Sequence, residues 1–180
     1  MNLYISDTHF GHRDIIRFDK RPFMDIEQMD NTLIWLWNDR VSKDDDVWII
    51  GDFACGGDKP PEYYLKQLKG RKHLIVGNHD KALVGNATAC GYFKSIEERA
   101  IINDKYKGED VTILLQHYPE LEWERGKDSQ YHIYGHIHNW NGKEQTIMRN
   151  KEGAYNAGCM LNDYTPTSLW GLAERRRRVN

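Results

Sequence analysis

Five short apolar runs in this chain each end in residues that bind metal ions. Gly77-Asn78-His79-Asp80 follows His73-Leu74-Ile75-Val76, and Asp7-Thr8-His9 follows Leu3-Tyr4-Ile5. Gly51-Asp52 follows Val47-Trp48-Ile49-Ile50, His117 follows the run 111–115, and Gly135-His136-Ile137-His138 follows the run 131–134. Any one of these polar clusters is ordinary loop composition, and for any single histidine a structural role is the better reading. Five at the ends of strand-like runs are not chance.

The donors Asp7, His9, Asp52, Asn78, His117, His136 and His138 are carboxylate, amide and imidazole groups with no thiolate. Such a set suits Mn²⁺, Fe, Zn²⁺ or Ni²⁺ better than a soft metal. Seven donors exceed what one tetrahedral ion uses, so two divalent ions sharing a carboxylate is the economical reading. A dinuclear centre activates a water and clamps phosphoryl oxygens during in-line attack. His79, next to Asn78, is then placed to protonate a leaving alkoxide, with Asp80 as the group that orients its imidazole.

The elements that must position these residues alternate. A β-branched run that stops at Gly reads as a buried strand feeding a tight loop. Residues 2–6 form a first strand, and Pro22 limits the helical turn at 13–18. Asp25 is an N-cap with Gln28 three residues on, and Ile26, Met29, Leu33 and Trp37 recur at helical spacing through 25–40. Strand 47–50, a helix opened by Pro60-Pro61 and ended by Gly70, and strand 72–76 follow. That order implies parallel pairing with the motifs at the carboxyl ends of the strands. Beyond Gly91 the pattern predicts strands at 95–102 and 110–116 joined by the turn 103–108, further strands at 131–134, 146–148 and 153–156, and a terminal helix at 169–178.

Composition sets the bounds. The 180 residues, 39% hydrophobic and 29% charged, fit one globular domain over 1–180. A net charge of −2 gives no global case for nucleic acid or an anionic membrane. Three scattered cysteines without Cys-x-x-Cys spacing suggest reduced thiols, and with no signal core or membrane span a cytoplasmic protein is expected. His73 and His132 lie inside strands and read as structural. His12 and Arg21 are the candidates to meet substrate phosphate, against a plain capping or surface role. Trp35, Trp37 and Trp48 read as core, Trp123 and Trp140 as a rim, and Cys55 as an inert buried thiol. Arg175-Arg176-Arg177-Arg178 reads as a helix end that favours the macrodipole.

With these blocks in this order, the sequence resembles the calcineurin-like metallophosphoesterase superfamily. Ser6-Asp7-Thr8-His9-Phe10-Gly11-His12 with Arg21-Pro22-Phe23 is similar to its small bacterial and phage-type branch. The resemblance implies an α/β fold: a four-layer α/β/β/α sandwich of two mixed sheets flanked by helices. It implies that Asp7, His9, Asp52 and His138 hold one ion and that Asp52, Asn78, His117 and His136 hold the other, with Asp52 bridging. Many relatives carry Gly-Asp-x-x-Asp at the second block. Here the next carboxylate is Asp58, which takes no role.

The expected function is metal-dependent phosphoester hydrolysis. The segments between motifs leave little room for a cap, so the site is open, which favours a phosphodiester or nucleotide-like substrate. A small-molecule phosphomonoesterase, a nuclease and a catalytically silent metal-binding scaffold are the rivals. An intact donor set with His79 present argues against the last, and the charge balance argues against the nuclease.

Overall fold

A computed structural model describes residues 1–179, with side chains described to Arg176. The first half of the chain builds one sheet from β1 (Asn2–Ile5), β2 (Asp46–Ile50), β3 (Arg71–Ile75) and β4 (Phe93–Glu97). All three pairings are parallel, in the order β1-β2-β3-β4. The connections carry α1 (Ile15–Phe18), α2 (Ile26–Arg40), α3 (Pro61–Leu65), α4 (Lys81–Val84) and α5 (Ala87–Cys90). The second half forms the sheet β5-β6-β7-β8 from Arg99–Tyr106, Glu109–Gln116, Tyr131–Tyr134 and Ala154–Asn156. Only β5 and β6 run antiparallel there, so the mixed pairing belongs to this sheet and the first is parallel throughout. Helices α6 (Lys143–Asn150) and α7 (Leu169–Val179) complete the chain.

Strand alternation sorts side chains into layers. Leu3, Ile5, Val47, Ile49 and Leu74 face outward beneath α2 and α3, where they meet Met29, Leu33, Trp37 and Leu65. Tyr4, Trp48, Ile50 and Ile75 face the other way and pack on Ile113, Leu115 and Ile133 of the second sheet. Leu114 and Tyr134 lie on that sheet's far face, under Met148 of α6. The result is the expected four layers, with the central strands β2 and β7 buried along nearly their whole length and the edge strands β4 and β5 keeping exposed polar residues. Trp35, expected in the core, points to solvent, while Trp37 and Trp48 are buried as expected.

Three local expectations change. The single strand at 95–102 is two, because the chain leaves the first sheet after Glu97 and enters the second at Arg99. The hairpin turn is confined to Lys107-Gly108, both at positive φ, which is the two-residue type I′ geometry that matches strand twist. Thr146-Ile147-Met148, expected as strand, lies within α6, whose buried face is Gln145 and Met148 at helical spacing. Asp25 does cap α2 by accepting from the Gln28 N–H, and the Gln28 side chain accepts in return from Met24 N–H rather than from the cap itself. In the terminal run, Arg175 pairs with Asp163 at 2.9 Å and Arg176 donates to the carbonyls of Lys151 and Ala154. These two clamp α7 to its neighbours, and the side chains of Arg177 and Arg178 lie outside the described residues. Among the described residues no helix is long and apolar enough to cross a membrane.

His132 is fully buried in β7, where its Nδ1–H donates to the Leu114 carbonyl and its Nε2 accepts from the Glu120 N–H. Burial pushes its pKa down to about 4, so the folded state excludes a proton that the unfolded chain accepts below its ordinary value near 6.5. The stability from the neutral ring is therefore present above about pH 6.5 and lost as pH falls toward 4, by up to about 3 kcal/mol. Urea unfolding of the protein and of His132→Gln across that range should show a shallower acid slope for the variant.

Candidate metal centre

The polar loops after β1, β2, β3, β6 and β7 converge at one edge of the two sheets. Two overlapping groups of donor atoms form there, Asp7 with His9 and His138, and Asp7 with Asp52 and His117; in each the atoms lie within 4.8 Å of one another. The Asp52 Oδ2 atom sits 3.7 Å from His9 Nε2 and 3.5 Å from His117 Nε2, between the two groups. Asn78 Oδ1 lies 3.0 Å from His117 Nε2 and 3.0 Å from His136 Nδ1. His138 Nε2 is 3.6 Å from Asp7 Oδ1. All seven donors read from the sequence thus meet in one small volume.

The backbone makes this possible at a cost. Five of the nine non-glycine residues with positive φ among the described residues are donors: Asp7, His9, Asp52, His136 and His138. Left-handed backbone at such residues costs about 1 kcal/mol or more each, and clusters where surrounding structure enforces it. Close approach demands glycine as well. A Cβ on Gly51 would run into the His117 ring and Gly77 Cα, and one on Gly77 would meet the Asp52 carboxylate.

Hydrogen bonds on the far side of the His117 and His138 rings aim their free nitrogens inward. His117 Nδ1–H donates to the Ile50 carbonyl at 2.8 Å, which leaves Nε2 as a lone pair facing Asn78 Oδ1. His138 Nδ1–H donates to Asp19 at 2.8 Å. Burial opposes charge on His138, yet the Asp19 hydrogen bond and Asp7 together hold its pKa above the ordinary value. Burial, followed by the charge of Arg21, drives the His9 pKa strongly down, so that ring is neutral. Its Nε2 is buried without any hydrogen-bond partner. An orphaned imidazole nitrogen beside two buried carboxylates, and lone pairs that face each other, are features a divalent cation satisfies. The donor set therefore fits the ions that the resemblance implies.

Three assignments change. Asp80 does not orient His79: its fully buried carboxylate accepts from the backbone N–H groups of Asp52, Phe53 and Gly77 at 2.8 to 2.9 Å. It is the tie between two loops. His79 is instead held by its own N–H, donated to Asp52 Oδ1 at 2.8 Å, with Cys55 Sγ 3.5 Å from Nδ1. Arg21 does not face substrate. It is 4% exposed and gives its donors to Asp19 and to the carbonyls of Asp7 and Thr8, so it braces the first loop. Trp123 is buried under α6, whereas Trp140 is exposed and stacks on His138. His12 remains at the site, its ring 5.3 Å from that of His9 and 6.3 Å from that of His79.

Sequence reasoning missed Asp19, Ser6 and Asn156. Asp19 joins His138 to Arg21, the Ser6 hydroxyl donates to Asp7, and the Asn156 amide donates to the His138 carbonyl. Asp19 carries no local signal, because His138 lies 119 residues away.

This fold, with this candidate donor set, fits a metal-dependent phosphoesterase. The chain belongs to the calcineurin-like phosphoesterase family, whose model matches residues 3–140. It is 33% identical to the uncharacterized protein MJ1445 of Methanocaldococcus jannaschii, over 92% of this chain and 85% of that one. It is 30% identical to the Gene 66 protein of Mycobacterium phage L5, over 75% and 76% of the two chains. Among solved structures it is similar to AQ665, a protein of unknown function from Aquifex aeolicus, with a TM-score of 0.69, 28% identity and coverage of 97% and 98%.

Removing the carboxylate behind a metal-binding histidine typically weakens metal affinity 10–100-fold. Asp19→Asn keeps an acceptor for Arg21 but loses the charge-assisted bond to His138. Calorimetric titration with Mn²⁺ should show metal binding at the donor group that includes His138 weakened by about that factor.

Proposed function

We propose that this protein hydrolyses phosphoesters at a dinuclear centre held by Asp7, His9, Asp52, Asn78, His117, His136 and His138, and that phosphodiesters are its preferred class. The observation that carries the dinuclear reading is the position of Asp52 Oδ2 within 3.7 Å of a His nitrogen on either side. Two divalent ions bound there supply Lewis-acid charge and an activated water. Oxygen and imidazole donors without a thiolate suit Mn, Fe, Zn or Ni alike, and Mn²⁺ is the ion used in the tests below. The chain acts as one catalytic unit over its whole length, on a soluble substrate.

The protein's own part is positioning and proton transfer. Asp52 anchors the His79 backbone through Oδ1 while its other oxygen faces the donor groups. That leaves the exposed His79 ring at the margin of the centre, edge-on to His9 at 5.3 Å between centroids. From there His79 donates a proton to the leaving oxygen. His79→Ala should retain both metals by elemental analysis and lose roughly 10²–10⁴-fold in turnover on an unactivated ester. With a p-nitrophenolate leaving group the loss should be much smaller. Equal losses on both esters would remove His79 from this role.

The diester preference rests on how few cationic side chains touch the donor residues, among the described residues. A monoester dianion carries one more charge than a diester, and Arg21, the buried cation nearest the first loop, has its donors committed elsewhere. His12 is, with His79, a basic side chain in ring contact with the donor residue His9, and burial, then the charge of His79, lowers its pKa. With Mn²⁺ supplied, kcat/KM should be higher for an aryl phosphodiester than for the matching monoester. A clear monoester preference would move the reading to a small-molecule phosphatase.

A further inference from the structure

Exposed aromatic side chains flank both halves of the centre. Tyr118, 47% exposed, packs its ring 4.3 Å from that of His136 and 5.2 Å from that of His117. Trp140, 53% exposed, stacks nearly parallel to His138 at 4.9 Å. Large apolar rings are costly to leave in water, and here neither is used by the fold's three cores. Beside Tyr118 an open cleft of about 450 Å³ begins at Asn78 and His117 and is walled by Gln116, Glu98 and Arg99. It has the size and lining of a small-ligand site: one aromatic face, an amide and charged groups of both signs. It opens directly from two of the donor residues.

We propose that the phosphodiester this centre cleaves carries nucleosides: one base lies against Tyr118 in the cleft, and the other against Trp140. This rests on the phosphodiesterase reading above and adds the chemistry of the two ester arms. Stacking on an aromatic face accepts any base, because every base has a π-face, while Gln116 and Glu98 offer groups to a base edge. A flat arm also explains why rings stand at both sides of the donor cluster. Arg17, which lies over the exposed Phe18 ring at 5.0 Å on the His12 side, adds positive charge for a flanking phosphate.

The test compares thymidine 5′-(p-nitrophenyl) phosphate with methyl p-nitrophenyl phosphate under Mn²⁺. The leaving group is the same, so the ratio of kcat/KM values isolates the nucleoside arm. The nucleoside ester should be preferred by about 10-fold or more, the worth of one base stacked on an aromatic ring. Tyr118→Ala or Trp140→Ala should cut that ratio several-fold, mainly through KM, and Tyr118→Phe or Trp140→Phe should restore it. A dinucleoside monophosphate and a longer single strand then separate the two sources of such a diester, a dinucleotide or a polymer. Equal kcat/KM for the two aryl esters, or alanine variants that slow both esters alike, would overturn the proposal and leave the phosphodiesterase reading standing. No turnover of either ester by the Mn²⁺-loaded protein would overturn that reading and the proposal with it.

Discussion

The Asp80 carboxylate sets the geometry on which the rest of the centre depends. It is wholly buried and accepts three backbone N–H bonds, from Asp52 and Phe53 after β2 and from Gly77 after β3. Burial raises its pKa, and the three donors pull the other way. Charge-assisted bonds of this kind are about twice as strong as neutral ones. They lock two neighbouring parallel strands' loops at a fixed separation, so that Asp52 and Asn78 enter the same volume. The glycines at 51 and 77 then follow as a necessity, because the loops are drawn so close that no side chain fits between them.

The same logic repeats at the first loop with opposite charge. Arg21 holds the carbonyls of Asp7 and Thr8 while Asp19 holds Arg21 and the His138 ring. Breaking such a buried pair from one side typically costs about 3–5 kcal/mol, so the fold has committed much of its local stability to aiming two donors. The left-handed backbone at Asp7, His9 and Asp52 is the counterpart of that commitment. A loop free to relax would leave this region. Three hydrogen-bonded crossings, Asp7 N–H to Gly51 O, His9 N–H to Asp52 O and Phe10 N–H to Phe53 O, keep it there.

The donors and the strand-helix alternation were legible in the sequence because both follow from local pattern, whereas the layer order came from the family resemblance. Apolar runs of four or five residues ending in Gly or Asp mark strand termini, and parallel sheets collect function at those termini. The partners behind the donors were not legible. Asp80 stands beside His79 in sequence and so invites a pairing with its imidazole, but the turn at Gly77 directs the carboxylate back under the loop. Arg21 next to Pro22 looks like surface, and only the folded path of the chain across α1 shows it buried. Thr146-Ile147-Met148 has the composition of a strand, and its helical state comes from the face that Gln145 and Met148 lay on the second sheet. In each case the deciding contact is a tertiary one that overrides local preference.

The distribution of charge ties these strands together. The basic groups closest to the donor loops are committed within the fold: Arg21 braces the first loop, and the His117 and His138 rings each donate a hydrogen bond away from the cluster. Burial without a pairing cation raises the Asp7 pKa, opposed by His138 and His117. A centre built this way holds concentrated negative charge and unpaired nitrogen at the end of two rigid sheets, with the neutralising charge left to come from a bound cation. The hydrogen bonds behind the donors hold the left-handed backbone of Asp7, His9 and Asp52 in place, so a cation meets preorganised donor atoms and the chain need not reorder around it.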